Sequence, residues 1–145
     1  MSSSDRSRDP LYLGLMSGTS LDAIDGALVR WTPEGPDTLA FTSQAFEPAL
    51  RAELLALQAP GQDELHRAAL AAVGLARAYA GVCAELMRQL QHHSAIAAIG
   101  AHGQTVRHRP EAGYTLQLLN GALLAELTGR PVVCDFRSTD VAAGE

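Results

Sequence analysis

Apolar and polar positions fall in blocks that predict a mixed α/β architecture. Leu11–Met16 is an apolar run of strand length, and Ile24–Trp31 is a second. Between them lies a polar loop, SGTSLDAID, too long for a simple reversal, which needs about two residues. TPEGPD, with two Pro and a Gly, predicts a turn. Thr38–Phe46 alternates and predicts a third strand. Three consecutive short strands predict an antiparallel meander at the start of a sheet.

The period then changes. Pro48 opens a short helix, PALRAELLALQ, with Pro in the first turn, and APG ends it. The longest periodic segment runs from Gln62 to about His92. Leu65, Ala69, Ala72, Val73, Ala76, Ala80, Cys83, Met87 and Leu90 form the expected buried stripe. Gly74 and Gly81 interrupt it, each at about 1 kcal/mol relative to Ala. AIAAIGAHGQT predicts a buried, parallel strand running into a polar loop, and RHRPEAG a turn-rich loop. YTLQLLN reads as a strand. GALLAELTG reads as a short helix with Asn120 as N-cap and Gly129 just past its end. RPVVCDF predicts a last buried strand, followed by polar RSTDVAAGE.

Strands, then helices, then strands alternating with a helix predict an α/β layered domain over residues 11–145, behind a disordered tail at residues 1–10. The polar stretch after the last strand lacks the closing helix that such a domain calls for, so the chain reads as a piece of a longer protein.

Composition narrows the chemistry. Apolar residues make up 47% of the 145, enough for a core. The net charge of −5 offers no basic field for nucleic acid or anionic lipid. All 11 basic residues are Arg, so phosphate chemistry here has no P-loop lysine and must use Arg, helix N-termini or backbone N–H groups. Cys83 and Cys134 have no metal-ligand spacing and read as two buried small apolar residues in a reducing cytosol. The polar N-terminus lacks the apolar stretch of a signal peptide. No apolar run approaches the length of a membrane span.

Three polar loops follow apolar strands, where open α/β sheets bind ligands. In the first, Ser17, Gly18, Thr19 and Ser20 suit an anion-binding nest, and Asp22 and Asp25 could hold hydrated Mg²⁺ beside it. The same residues would equally make an elaborate self-capped turn. In the second, His102, Gln104 and Thr105 are directional partners for sugar hydroxyls, and Arg107 and Arg109 suit a carboxylate or phosphate. A plain solvated loop has the same composition. In the third, Asp135 at a strand end could accept from a ligand or act as base, while Arg137 and Asp140 are also consistent with a local ion pair.

Three stretches, in order, resemble the anhydro-N-acetylmuramic acid kinases: GLMSGTSLDAIDGAL, IGAHGQTVRH and LLAELTGRPVVCDFRSTDVAAG. The resemblance covers Leu11 to Gly144 and corresponds to the N-terminal portion of that family. It implies a ribonuclease-H-like, actin-like ATPase domain: a mixed sheet with flanking helices forming one half of a nucleotide cleft. It implies ATP and Mg²⁺ as cofactors and a cytoplasmic enzyme acting on a small anhydro amino sugar, with no nucleic acid or membrane partner and with room for a family-like homodimer. By position, Gly18, Thr19, Ser20, Leu21, Asp22, Ala23, Ile24 and Asp25 fall in the nucleotide loop, with Asp22 reaching Mg²⁺ through water. His102, Gln104, Thr105, Asp135, Arg137 and Asp140 fall on the sugar side. The implied reaction opens the 1,6-anhydro ring with water and phosphorylates O6, a step of cell-wall recycling.

Two departures matter. The family usually has Gly where this chain has Ala23, a substitution that would strain the loop if that position needs φ > 0. The family's Gly-rich continuation and its water-activating aspartate have no counterpart here. The resemblance therefore assigns no catalytic residue within the chain and puts the expected base beyond Glu145. The chain alone is expected to be catalytically incompetent. The other readings are a non-catalytic remnant and a sugar- or nucleotide-binding module of the same fold. Half a cleft is also expected to leave an apolar face bare.

Overall fold

The computed structural model describes residues 9–90 and 96–144. Most of the tail at residues 1–10, the last residues of the expected long helix, and Glu145 at the end of the expected domain lie outside them. The described residues form seven strands: β1 (Leu11–Ser17), β2 (Ile24–Thr32), β3 (Gly35–Gln44), β4 (Ile96–Ala101), β5 (Gln104–Arg109), β6 (Tyr114–Leu118) and β7 (Val132–Cys134). Five make one sheet in the order β3-β2-β1-β4-β7. The β1–β2 and β2–β3 pairs are antiparallel, whereas β4 runs parallel to β1, and β7 to β4. The expected meander is therefore present, with a tighter second turn. Only Pro33 and Glu34 separate β2 from β3, because Thr32 pairs with Gly35.

Four helices accompany the sheet among these residues: α1 (Pro48–Ala56), α2 (Glu64–Arg88), α3 (Gly121–Thr128) and α4 (Phe136–Ala143). Glu47 caps α1, its carboxylate accepting from the N–H groups of Ala49 and Leu50. Asn120 caps α3 by accepting from Leu123 N–H, and Gly129 closes that helix at φ 65°. Arg67 links the first two helices through a two-pronged pair to Glu53, at 2.7 and 3.2 Å.

The buried stripe of α2 is rotated from the one expected: Ala76 and Cys83 are buried and Ala80, Met87 and Leu90 pack partly buried against the core, but the centre of the stripe lies to one side of them. Ala71, Leu75, Ala76, Tyr79, Val82, Cys83 and Leu86 are buried, whereas Leu65 is 89% exposed. Alanine-rich spacing is nearly symmetric around this helix, so the periodicity did not choose the face; the bulkier Leu75, Tyr79, Val82 and Leu86 did. They pack on the sheet face formed by Leu13, Leu15, Ile24, Leu28 and Ile99. The fit is close. A Cβ built on Gly26 would stand 2.5 Å from Val82 Cγ1, so β2 needs glycine where α2 crosses it. By length and composition α2 could span a membrane, but Leu75, Ala76, Tyr79, Val82, Cys83 and Leu86 of it are buried in this core.

The opposite sheet face carries Gly14, Ala27, Gly100 and the exposed Met16, Phe41 and Val133. Among the described residues only α4 reaches over it, with Phe136 Cζ 3.7 Å from where a Gly100 Cβ would sit. Exposed Asp25 and Ser43 share that face with Met16, so it is part polar rather than the bare apolar face the half-cleft reading expects.

Three further expectations are corrected. TVRHR is not loop: Gln104–Arg109 pairs antiparallel with Tyr114–Leu118 in a separate hairpin, because Gln104, Val106 and Leu118 turn toward the core. β7 is an edge strand rather than a buried one, with Val133 and Cys134 exposed. After it, Phe136–Ala143 is helical, where the sequence reads as lacking a closing helix. Asp135 precedes that helix at φ 63° and turns the chain out of the strand.

Two buried acids make the core sensitive to alkali. Burial pushes the Cys83 thiol from 9.0 to about 12 and the Tyr79 phenol from 10.0 to about 12. Both folded values lie above the unfolded ones. The folded state therefore holds its protons longer, and stability is retained below pH 9 and lost as pH rises from 9 toward 12. The urea midpoint is expected to fall between about pH 8.5 and 10, equivalent to about 1 kcal/mol, and Cys83→Ala is expected to remove most of that slope. An unchanged slope in the variant would contradict the assignment.

Candidate functional site

β1, β4 and β7 run in the same direction, so Ser17, Ala101 and Cys134 end at one edge of the sheet. All three polar segments leave from that edge, where ligands of open α/β sheets bind.

The first is the loop from Gly18 to Ala23, closed by the Ser17–Ile24 pair. Leu21 N–H donates to the Gly18 carbonyl at 3.1 Å, forming a turn, and Leu21 itself sits at φ 56°. That conformation costs a leucine on the order of 1–3 kcal/mol. Its fully buried side chain offsets the strain by anchoring the loop tip in the core. Ala23 is not among the positive-φ residues, so alanine there brings no such strain; the strained position is Leu21.

Four successive carbonyls of this loop are taken by side chains of the scaffold. Gly18 O accepts from Gln104 Nε2 at 3.1 Å and Thr19 O from Gln58 Nε2 at 3.1 Å. Ser20 O and Leu21 O accept from Arg51, at 3.4 and 2.9 Å. Among the described residues, the N–H groups of Gly18, Thr19, Ser20 and Asp22 have no such partner. A backbone with its carbonyls held down and its N–H groups free is an anion nest in its electrostatics. Below it, Ser17 Oγ lies 2.9 Å from Tyr79 Oη and donates to Gly103 O at 3.5 Å, joining β1, α2 and the β4–β5 corner.

The other two segments share a cavity of about 300 Å³, whose lining includes His102, Gln117, Leu119, Asp135 and Ser138. His102 Nδ1 stands 2.9 Å from Gly103 O. A carbonyl only accepts, so Nδ1 carries the proton and Nε2 is the free acceptor of the neutral ring. Ser138 Oγ donates to Asp135 Oδ1 at 2.5 Å, fixing one carboxylate oxygen. Cys134 also lines this cavity and is exposed, in contrast to Cys83.

The expected site residues thus divide. Gly18, Thr19, Ser20 and Asp22 are exposed on the loop, while Leu21 and Ile24 are core residues whose side chains face inward. Asp25 accepts from Ser43 Oγ at 2.7 Å across β2 and β3. His102 and Asp135 come together. Gln104 does not face the cavity: it is fully buried and its amide supports the loop. Thr105 Oγ1 accepts from Gln117 Nε2 at 3.1 Å. Arg137 and Asp140 pair with each other at 3.5 Å on α4. Arg107 pairs with Glu64 at 3.0 Å and Arg109 with Glu111 at 3.9 Å, so both guanidinium groups have carboxylate partners within the chain. The base expected beyond Glu145 falls outside the described residues, which end at Gly144. Sequence reasoning missed Arg51, Gln58 and Tyr79, which hold the loop in place. Tyr79 had a visible signal, as a large residue with a polar tip inside an alanine-rich helix.

Among the described residues no three His, Cys, Asp or Glu side chains cluster as a metal site. Hydrated Mg²⁺ needs less, since one carboxylate together with nucleotide phosphates suffices. Exposed Asp22, beside the free N–H groups, fits that requirement.

The β3-β2-β1-β4-β7 order, and a hydroxyl-rich loop between the first two strands at the ligand-binding edge, define one lobe of an actin-like ATPase fold. The family model for anhydro-N-acetylmuramic acid kinase matches residues 10–145. A Bordetella petrii protein named anhydro-N-acetylmuramic acid kinase is 62% identical over 92% of this chain and 36% of its own length. Proteins of the same name from Albidiferax ferrireducens and Variovorax paradoxus are 60% and 57% identical, again over 92% of this chain, and over 36% and 37% of their own lengths. The chain belongs to the anhydro-N-acetylmuramic acid kinase family and spans about a third of the length of these curated relatives.

Proposed function

We propose that this chain forms the phosphate-gripping, sugar-facing wall of a cytoplasmic ATP-dependent kinase. That enzyme adds water across the C1–O6 bond of 1,6-anhydro-N-acetylmuramic acid and transfers a phosphoryl group to O6, giving N-acetylmuramic acid 6-phosphate and ADP in cell-wall recycling. The observation that carries the reading is the row of anchored carbonyls from Gly18 to Leu21, which leaves N–H groups to receive phosphate oxygens without a lysine.

Phosphoryl transfer needs positioning and electrostatic stabilisation more than covalent help. Gly18, Thr19, Ser20 and Asp22 offer the N–H groups, and the hydroxyls of Thr19 and Ser20 offer further donors. Asp22 would hold Mg²⁺ through water, and the ion supplies charge neutralisation on the phosphates. Arg51, Gln58 and Gln104 keep the loop in shape before the ligand arrives, so that binding orders little. Across the sheet edge, His102 Nε2 and the second Asp135 oxygen are acceptors for sugar hydroxyls.

Titration of ¹⁵N-labelled chain with Mg-ATP is expected to move the amide resonances of Gly18, Thr19, Ser20 and Asp22 most. In the same sample 1,6-anhydro-N-acetylmuramic acid is expected to slow alkylation of Cys134, while Cys83 stays unmodified. Shifts centred elsewhere, or Cys134 labelling that no sugar alters, would sink the proposal.

A further inference from the structure

Of the two buried side-chain oxygens without a hydrogen-bond partner among the described residues, Gln104 Oε1 and Gln117 Oε1, only Gln117 belongs to the cavity lining. Its carboxamide is held from behind. Nε2 donates to Thr105 Oγ1 at 3.1 Å and to Thr115 Oγ1 at 2.7 Å. Thr115 is itself fixed, donating to Arg107 O at 3.3 Å and standing 3.2 Å from His108 Nδ1. The hydroxyls on both sides are thus engaged, and the carboxamide oxygen remains the unanswered group. An orphaned buried acceptor is costly, and native structures keep one mainly where something else satisfies it. Leu116 and Leu119 line the same cavity as Gln117 and give it apolar wall.

An acceptor-only oxygen in a cavity that also has aliphatic lining suits an N-acetyl group: the amide N–H would donate to the oxygen and the methyl would rest on the leucines. We infer that Gln117 is a specificity-determining residue that reads the acetamido substituent of an amino sugar. The inference rests on the sugar-binding reading of the cavity and adds the group by which the sugar is selected. It assigns Gln117 a role distinct from that of His102 and Asp135, whose free acceptors suit hydroxyls.

The test compares two sugars that differ at C2. 1,6-Anhydro-N-acetylglucosamine is expected to shift the Gln117 side-chain carboxamide resonance. 1,6-Anhydro-2-deoxyglucose is expected to leave it in place and to bind about tenfold more weakly. Gln117→Met, of similar volume, is expected to bring the two affinities together. If both sugars perturb His102 and Asp135 alike and Gln117 is indifferent, the inference falls and the sugar cavity stands. If neither these sugars nor 1,6-anhydro-N-acetylmuramic acid perturbs any cavity residue, both fall. Should Gln117→Met fail to fold, the carboxamide resonance of the unaltered chain decides alone.

Discussion

Gly103→Ala is expected to destabilise the fold by about 3 kcal/mol, lowering the thermal midpoint by about 9 °C. Gly103 sits at φ 76°, a conformation that costs alanine of order 1 kcal/mol. A Cβ there would also lie 2.7 Å from the Leu118 carbonyl oxygen, which is backbone and cannot rotate away. Relief would require moving the β5–β6 hairpin. Because Gln104 is the next residue and supports the Gly18 carbonyl, such movement would also disturb the Gly18–Ala23 loop. Gly113→Ala is the control. Gly113 has φ 79° but nothing within 4 Å of its added Cβ, so it is expected to cost only the backbone part, about 1 kcal/mol. Urea denaturation of the two variants separates strain from collision. Equal losses would show that the close approach to Leu118 carries no energy.

The largest effect on activity is expected from supplying the other side of the cleft. The 145-residue chain alone should give no N-acetylmuramic acid 6-phosphate above background. Joined in place of the matching segment to the rest of the Bordetella petrii relative, it should turn over at a rate near that of the relative. Catalysis of phosphoryl transfer comes from groups positioned around the transferred phosphoryl, and loss of one stabilising group alone can cost a factor of about 10³–10⁵. Here the loop and the cavity both lie on one lobe, where the strand ends of the five-stranded sheet meet the β5–β6 hairpin, and the exposed Met16, Phe41 and Val133 add apolar surface for further packing. The chimera also supplies whatever base the relative carries past the position matching Glu145. Product formed by the isolated chain would refute this reading. Silence from a folded chimera would show that this lobe cannot support the family's chemistry.

Much of the architecture was legible because it rests on local rules. The Pro33–Glu34 turn, the Pro at the start of α1, the Asn120 cap and the Gly129 stop each report a backbone requirement that one or two residues meet. The Gly18–Ala23 loop proposed to hold phosphate stood out in the sequence for the same reason, as its small and hydroxyl residues are close together. Its supports were not. Arg51, Gln58 and Gln104 reach it across 30, 39 and 86 positions, and no short pattern marks such partners. Gln117 was hidden by its place in an ordinary strand pattern, where its amide resembles any exposed polar residue until the hairpin is placed beside α4.

The chain's own order of residues indicated most of the element types, the small hydroxyl-rich loop after β1 and the family. Tertiary structure decided which face of α2 is buried, that the HGQT segment continues into a hairpin, and that Gln104 supports the loop instead of lining the cavity. The physical reason is range. Turns, caps and periodicity act over a few residues, whereas burial and hydrogen-bond partnership depend on which distant surfaces meet, and near-symmetric alanine spacing or a lone glutamine leaves that choice to packing.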